Sequence, residues 1–305
     1  MKESCMSSIR GVISLVFLII NTLCWALPLY LLAALKLITP SRRLQLHMLE
    51  GLNRLAMGWI GTNNLWIRHV LRPRWDIHVP QSLRDGSARR RWWLVIANHR
   101  SWTDIFVLQY ALHRRTPMPK FFLKQELIWV PVIGLAWWAL EFPFMRRYSQ
   151  QKLASNPRLA ERDREATRRM CERSRQAPMA IFNFVEGTRF TPAKHNQQQS
   201  PFQHLLKPRA GGSAQVINTL GDRLSGILDA TLDYRHADAS FWQFLCGHGG
   251  DITLVITQRP LEPWMLDGNY HADAAYRERF QQWLNQVWKD KDARLSRAGN
   301  DIDEH

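Results

Sequence analysis

The chain opens on a long stretch with no polar period. Residues 11–35 are 25 positions without a formally charged side chain, bracketed by Arg10 and Lys36. A helix rises about 1.5 Å per residue, so roughly 20 apolar residues cross a bilayer core and this run is long enough to span. A cleaved signal peptide has a shorter apolar core, about 7–15 residues ending at a small-x-small site; here the run continues into further Leu-rich sequence. Pro28 leaves two arrangements open, one spanning helix or two shorter helices that dip into one leaflet, because proline removes a backbone donor and kinks a helix. The pattern then changes. Leu44, Met48, Leu52, Leu55, Ala56, Trp59 and Ile60 recur at helical spacing with Asn53 and Arg54 on the other side. This predicts an amphipathic helix over 44–60, lying on a membrane or docked on a domain.

Further along, the apolar runs shorten. A polar turn at 84–91, containing Asp85-Gly86-Ser87, precedes a buried strand at 92–97. A short helix is predicted over 105–112 and strands over 121–123, 179–185, 226–232 and 252–257, with a charged helix of mixed sign at 158–175. Residues 193–203 read as an exposed loop, and Tyr276, Phe280, Trp283, Leu284, Val287 and Trp288 form one helical stripe that caps the core. Strands alternating with helices predict an α/β fold, a mixed or mostly parallel sheet flanked by helices, behind an N-terminal hydrophobic membrane-anchoring segment. The chain divides into an anchor over 1–43, a domain over 44–297 and a disordered tail over 298–305.

Composition is globular, with 46% hydrophobic and 22% charged residues, but 41 Lys and Arg against 26 Asp and Glu leave a net charge of +15. That excess points to an anionic partner, nucleic acid or membrane phosphate. Its distribution decides between them: residues 40–150 carry +11 of the +15, directly after the apolar run. Arg42, Arg43, Arg54, Arg68, Arg72 and Arg74 then place the domain on the cytoplasmic side, facing anionic headgroups. Ten of the 14 Trp precede residue 140, which fits the headgroup level. The four cysteines lack Cys-x-x-Cys spacing, so neither a disulfide framework nor a Cys-rich zinc site is expected.

Two stretches carry candidate chemistry. Asn98-His99-Arg100-Ser101-Trp102-Thr103-Asp104 follows the strand at 92–97, where open α/β sheets gather reactive groups. Five helical positions amount to about 500°, so His99 and Asp104 meet only if His99 lies in the turn and Asp104 in the first turn of the helix. A carboxylate on one imidazole nitrogen fixes the tautomer and leaves the other nitrogen as a base. The second stretch, Phe184-Val185-Glu186-Gly187-Thr188-Arg189, also follows an apolar strand. Gly187 permits a tight turn and Arg189 offers a planar fork of donors for phosphate, unless Glu186 and Arg189 simply pair.

In this order the two stretches resemble the lysophospholipid acyltransferase superfamily, whose signatures are Asn-His-x4-Asp and Glu-Gly-Thr-Arg. Lys124-Gln125-Glu126-Leu127 with Pro131 and Gly134 resembles its Lys-x-Glu-Leu segment, and Phe144-Met145-Arg146-Arg147 its second block. Leu206-Lys207-Pro208-Arg209-Ala210-Gly211-Gly212 is similar to a segment of a bacterial inner-membrane branch. The likeness covers roughly residues 10–260. One departure stands out, because phosphatidate-forming members usually carry a proline in the fourth block, here Ile227-Leu228-Asp229-Ala230-Thr231.

The resemblance implies acyl transfer from acyl-CoA or an acyl-carrier protein to the free hydroxyl of a lysophospholipid, lysophosphatidic acid or a relative, at the bacterial inner membrane with the site facing the cytoplasm. It implies His99 as base and Asp104 as its orienting group. Arg189, Lys124 and Arg147 would hold the acceptor phosphate, and Glu186, Gly187 and Thr188 would position substrate. No metal and no bound cofactor is expected, since a thioester is already activated. Two other classes compete: a membrane-tethered polyanion or RNA binder, motivated by the charge but lacking a nucleic-acid module, and a metal-dependent lipid hydrolase, for which no His-x-x-x-His or His-Glu pair is present.

Overall fold

The computed structural model describes residues 2–142, 144–145, 165, 168, 172, 175, 177–234, 240–270 and 272–303. The apolar run is one continuous helix, α1 (Lys2–Ile38), with Pro28 inside it. Three residues later α2 (Arg42–Trp66) starts at Ser41, whose side chain accepts from the Leu44 backbone, and runs back antiparallel to α1. Their contact is apolar toward the α1–α2 turn, through Leu29, Ala33, Leu49 and Leu52, and polar toward the start of α1. Asn21 donates to Asn63 at 2.7 Å, Trp25 to Thr62, Trp59 to Thr22 and Trp66 to Ser14, each at 3.2 Å. Gly58 permits this approach, because a Cβ there would overlap the Trp25 ring. The outward face of α1 is apolar instead, with Val12, Val16, Ile19, Leu23, Leu27, Leu31 and Leu35 exposed. A soluble core helix has the opposite polarity.

The sheet has six strands: β1 (Trp75–His78), β2 (Trp92–Ala97), β3 (Pro119–Phe121), β6 (Ala180–Phe184), β7 (Leu224–Tyr234) and β8 (Ile252–Arg259). A two-stranded ribbon is made by β4 (Leu123–Lys124) and β5 (Phe144–Met145). The sheet order is β1-β8-β7-β2-β6-β3, and every pairing is parallel except β7 with β8. Helices follow as α3 (Thr103–Leu112), α4 (Ile133–Ala139), α5 (Pro192–Gln198), α6 (Gly211–Leu220), α7 (Phe241–Leu245), α8 (Pro263–Leu266) and α9 (Ala274–Asp303). Alternation along β2 builds both cores: Trp93, Val95 and Ala97 face α1, α2 and α3, while Leu94 and Ile96 face α6 and α9.

The mostly parallel sheet between helices agrees with the pattern of the sequence; the details differ in four places. Residues 192–198 form α5 and not a loop, because Thr191 caps the Lys194 amide and Pro192 takes the first helical position, where it lacks only a donor that would be unsatisfied anyway. Phe121 and Leu123 part company at Phe122, the first ending β3 and the second starting β4. Helix α9 runs to Asp303, so residues 298–303 are helical and not a disordered tail. The short edge strand β1 has no counterpart in the apolar pattern, since only alternate residues of it are sheltered. Most of the charged stretch 158–175 and the basic pair Arg146-Arg147 lie outside the described residues.

Candidate active site

Strands β2 and β6 are parallel neighbours with Ala97 opposite Phe184, so the residues after them emerge side by side. Asn98 fixes the exit of β2. Its buried amide donates to Leu232 O at 2.8 Å and accepts from Leu232 N at 2.9 Å, stapling the chain to β7. His99 then lies in the turn and Asp104 in the first turn of α3, the arrangement their spacing requires. His99 Nδ1 meets Asp104 Oδ2 at 2.7 Å, and the ring stacks on Phe184 with centroids 4.0 Å apart. Nε2 is the nitrogen left for a substrate.

Asp104 is fully buried, yet its carboxylate is surrounded by donors. Oδ2 also accepts from the Arg100 and Ser101 amides at 2.7 and 3.0 Å, and Oδ1 accepts from the Tyr234 hydroxyl. Burial, and then the negative charge of Asp104, push the Tyr234 phenol well up, so it stays a neutral donor. Tyr234 was not visible as a site residue in the sequence, where it lies two residues beyond the strand expected over 226–232.

The Glu186–Arg189 turn is closed by Gly187 (φ 71), whose amide donates to Phe184 O at 2.9 Å. Glu186 is buried and does not line the cavity, and no ion pair joins it to Arg189 among the described residues. Only 1% exposed, it accepts from His99 N at 3.2 Å, Leu206 N at 3.3 Å and Trp288 Nε1 at 3.4 Å. It therefore holds the backbone of the His99 loop to the Arg189 loop from below. Arg189 is exposed and its guanidinium lies over the Trp102 ring at 5.0 Å. Thr188 accepts from Lys194 at 2.8 Å, and the Arg209 side chain packs beside Gly187. Lys194 and Arg209 are cations the sequence reading did not assign, although Arg209 sits in one of the family-like segments.

Burial pushes the Glu186 carboxyl up to about 8, against the opposing pull of its three N–H partners. A carboxyl raised in the folded state keeps its proton there while the unfolded chain has lost it. Its contribution to stability is complete below the ordinary carboxylate range, near 4.5, and is lost as pH rises toward 8. Glu186→Gln, which removes the titrating group, should flatten the fall of Tm expected of the parent protein between pH 5 and 8; an unchanged slope in thermal melts contradicts a neutral Glu186.

A cavity of about 440 Å³ opens beside these groups. Trp25, Ala26 and Leu29 of α1, Leu55 and Trp59 of α2, and Ala136 and Trp137 of α4 give it apolar walls, with His99, Lys124, Thr188 and Arg189 among its polar lining. Lys124 and Arg189 thus share one cavity, while Arg147 lies outside the described residues. The departure in the fourth block has a different setting. Asp229 is buried, with Lys291 of α9 at 2.8 Å and Arg259 at 3.0 Å, and it does not line the cavity. Among the described residues no three His, Cys, Asp or Glu side chains converge as metal ligands.

The Acyltransferase family profile matches residues 77–223. The 1-acyl-sn-glycerol-3-phosphate acyltransferase gamma of Mus musculus is 28% identical over 214 residues, 66% of this chain and 51% of the relative. The delta enzyme of Homo sapiens is 27% identical over 214 residues with the same coverage, and that of Bos taurus 26% over 225. The chain spans about half the length of these relatives.

Proposed function

We propose that this chain, whose residues 77–223 match the Acyltransferase profile, is a member of the lysophospholipid acyltransferase superfamily and moves a fatty acyl group from a thioester, acyl-CoA or acyl-carrier protein, to the free hydroxyl of a lysophospholipid. The observation that carries this reading is the His99–Asp104 pair at an apolar cavity lined also by Arg189 and Lys124. His99 takes the hydroxyl proton through Nε2 as the oxygen attacks the thioester carbonyl. The carbon–sulfur bond then breaks, and the departing thiolate recovers the proton from the imidazolium. Asp104 steadies that cation. Arg189 and Lys124 hold the acceptor phosphate, with Arg147 a third cation by family likeness, while Gly187 and Thr188 shape the turn that presents Arg189. An acyl chain occupies the apolar walls.

The same reading places the chain in the inner membrane of a bacterium with the site on the cytoplasmic side. An α1 with its polar residues turned inward and its apolar residues exposed favours lipid contact, and the Arg-rich stretch after it favours anionic headgroups. Because α1 supplies part of the cavity wall, anchoring and substrate binding fall to one element.

The deciding experiment is thioester-dependent acylation of a lysophospholipid panel by membranes containing the protein. Within it, Arg189→Ala should raise the acceptor KM about 10- to 100-fold, the worth of one or two charge-assisted hydrogen bonds, with a smaller change in kcat. An unchanged acceptor KM with kcat lost would move Arg189 from acceptor binding to the chemical step.

A further inference from the structure

Between the ribbon strands lies a second uncharged run, residues 128–140, whose outward-facing residues have no part in the proposed chemistry. It folds as a 3₁₀ turn (Gln125–Trp129), a bend at Pro131 and Val132, and α4. Apolar residues at a domain surface are usually scattered, but here they cluster. Trp129 is 84% exposed, Leu135 52% and Trp138 45%, with Val130 and Pro131 exposed between them. A contiguous exposed patch of this kind marks a contact surface. Its composition, two tryptophans among aliphatic residues without charge, matches the level where hydrocarbon meets headgroups.

The patch is also tied to the anchor. The Tyr30 hydroxyl of α1 donates to Val132 O, and Lys36 at the end of α1 pairs with Glu141 at 2.6 Å, neutralising the charge that closes the run. Val132 itself is held at φ 62 and ψ −63, a conformation a β-branched residue adopts only when its surroundings impose it. The exposed Leu27, Leu31 and Leu35 belong to the stretch of α1 that carries these attachments, and α1 packs on α4. On its inner side the same segment lines the cavity, through Leu127, Val132, Ile133, Ala136 and Trp137.

We infer that residues 127–138 form a second membrane contact that dips into the interfacial layer of the bilayer carrying α1, and that acyl chains enter the cavity from that layer between this segment and α1. The inference rests on the acyltransferase reading for its substrate and on the anchor for its surface. Trp129, Leu135 and Trp138 touch lipid, not the cavity, which separates their effect from that of the lining.

Two measurements test it on the full chain. In vesicles of phosphatidylethanolamine and phosphatidylglycerol, hydroxyl-radical footprinting should oxidise Trp129 no faster than the fully buried Trp288; fast oxidation of Trp129 there would leave the patch facing water, free for a protein partner, and overturn the inference. In kinetics, Trp129→Glu combined with Leu135→Glu should raise KM for a long-chain lysophospholipid presented in vesicles about tenfold, yet change kcat/KM for a short-chain, water-soluble substrate pair less than twofold. Equal loss on both pairs, or no loss on either, overturns the doorway. No turnover by the parent protein on either pair would instead defeat the acyltransferase reading, while the footprint would still report on the surface.

Discussion

Replacing His99 with alanine should lower kcat by about 10²- to 10⁴-fold, the range general-base catalysis supplies, while the protein stays folded. The second half of that expectation is the informative one. Removing a partner from a buried carboxylate ordinarily destabilises a protein, because an orphaned charge costs more than the lost bond. Asp104 is insulated from that fate: with the imidazole gone it keeps the Arg100 and Ser101 amides and the Tyr234 hydroxyl. The remaining losses are the hydrogen bond to Asp104 and the stacking of the ring on Phe184, roughly 1 kcal/mol each. The backbone bonds of His99 to Glu186 and Phe190 do not depend on its side chain. The measurement is single-turnover acyl transfer alongside a thermal melt. Transfer within tenfold of the parent protein would remove His99 from the role of base.

How far the sequence reaches can be judged from particular residues. Strand β2 was legible to the residue, because six consecutive apolar positions between a polar turn and Asn98 admit one reading. The pairing of His99 with Asp104 was legible as well, since the helix period allows it only when the helix starts between them. Glu186 was legible as important but not in direction. Whether a carboxylate points at solvent or inward depends on Trp288, 102 residues away on α9, and on the Leu206 amide, and no local pattern encodes either contact. Tyr234 fails for the same reason, being 130 residues from Asp104. Helix α5 was hidden by its own composition, since Asn and Gln are read as loop formers unless Thr191 and Pro192 are read first as a cap. The apolar run of α1 announced a helix, but only the fold shows which side of it meets the protein and which is left bare.

Asp104→Asn should cost nearly as much activity as the loss of His99, about 10²- to 10⁴-fold in kcat, with little change in either substrate KM. The substitution keeps the shape of the site. An amide oxygen in the place of Oδ2 can still accept from the imidazole and from the Arg100 and Ser101 amides, while the amide nitrogen in the place of Oδ1 donates to the Tyr234 oxygen, which accepts as readily as it donates. What disappears is the negative charge that steadies the imidazolium during transfer. Asp104→Ala is a different experiment, since it orphans two amides and a buried hydroxyl, at about 1–3 kcal/mol each, and should lower Tm sharply. The comparison that isolates the pair is the double variant. If Asp104 acts only through His99, then His99→Ala with Asp104→Asn should be no slower than His99→Ala alone, because groups that work as a unit are not additive. A further hundredfold drop in the double variant would show Asp104 acting on the reaction independently of the imidazole, and the Tyr234 hydroxyl, released from its acceptor, would be the next group to test.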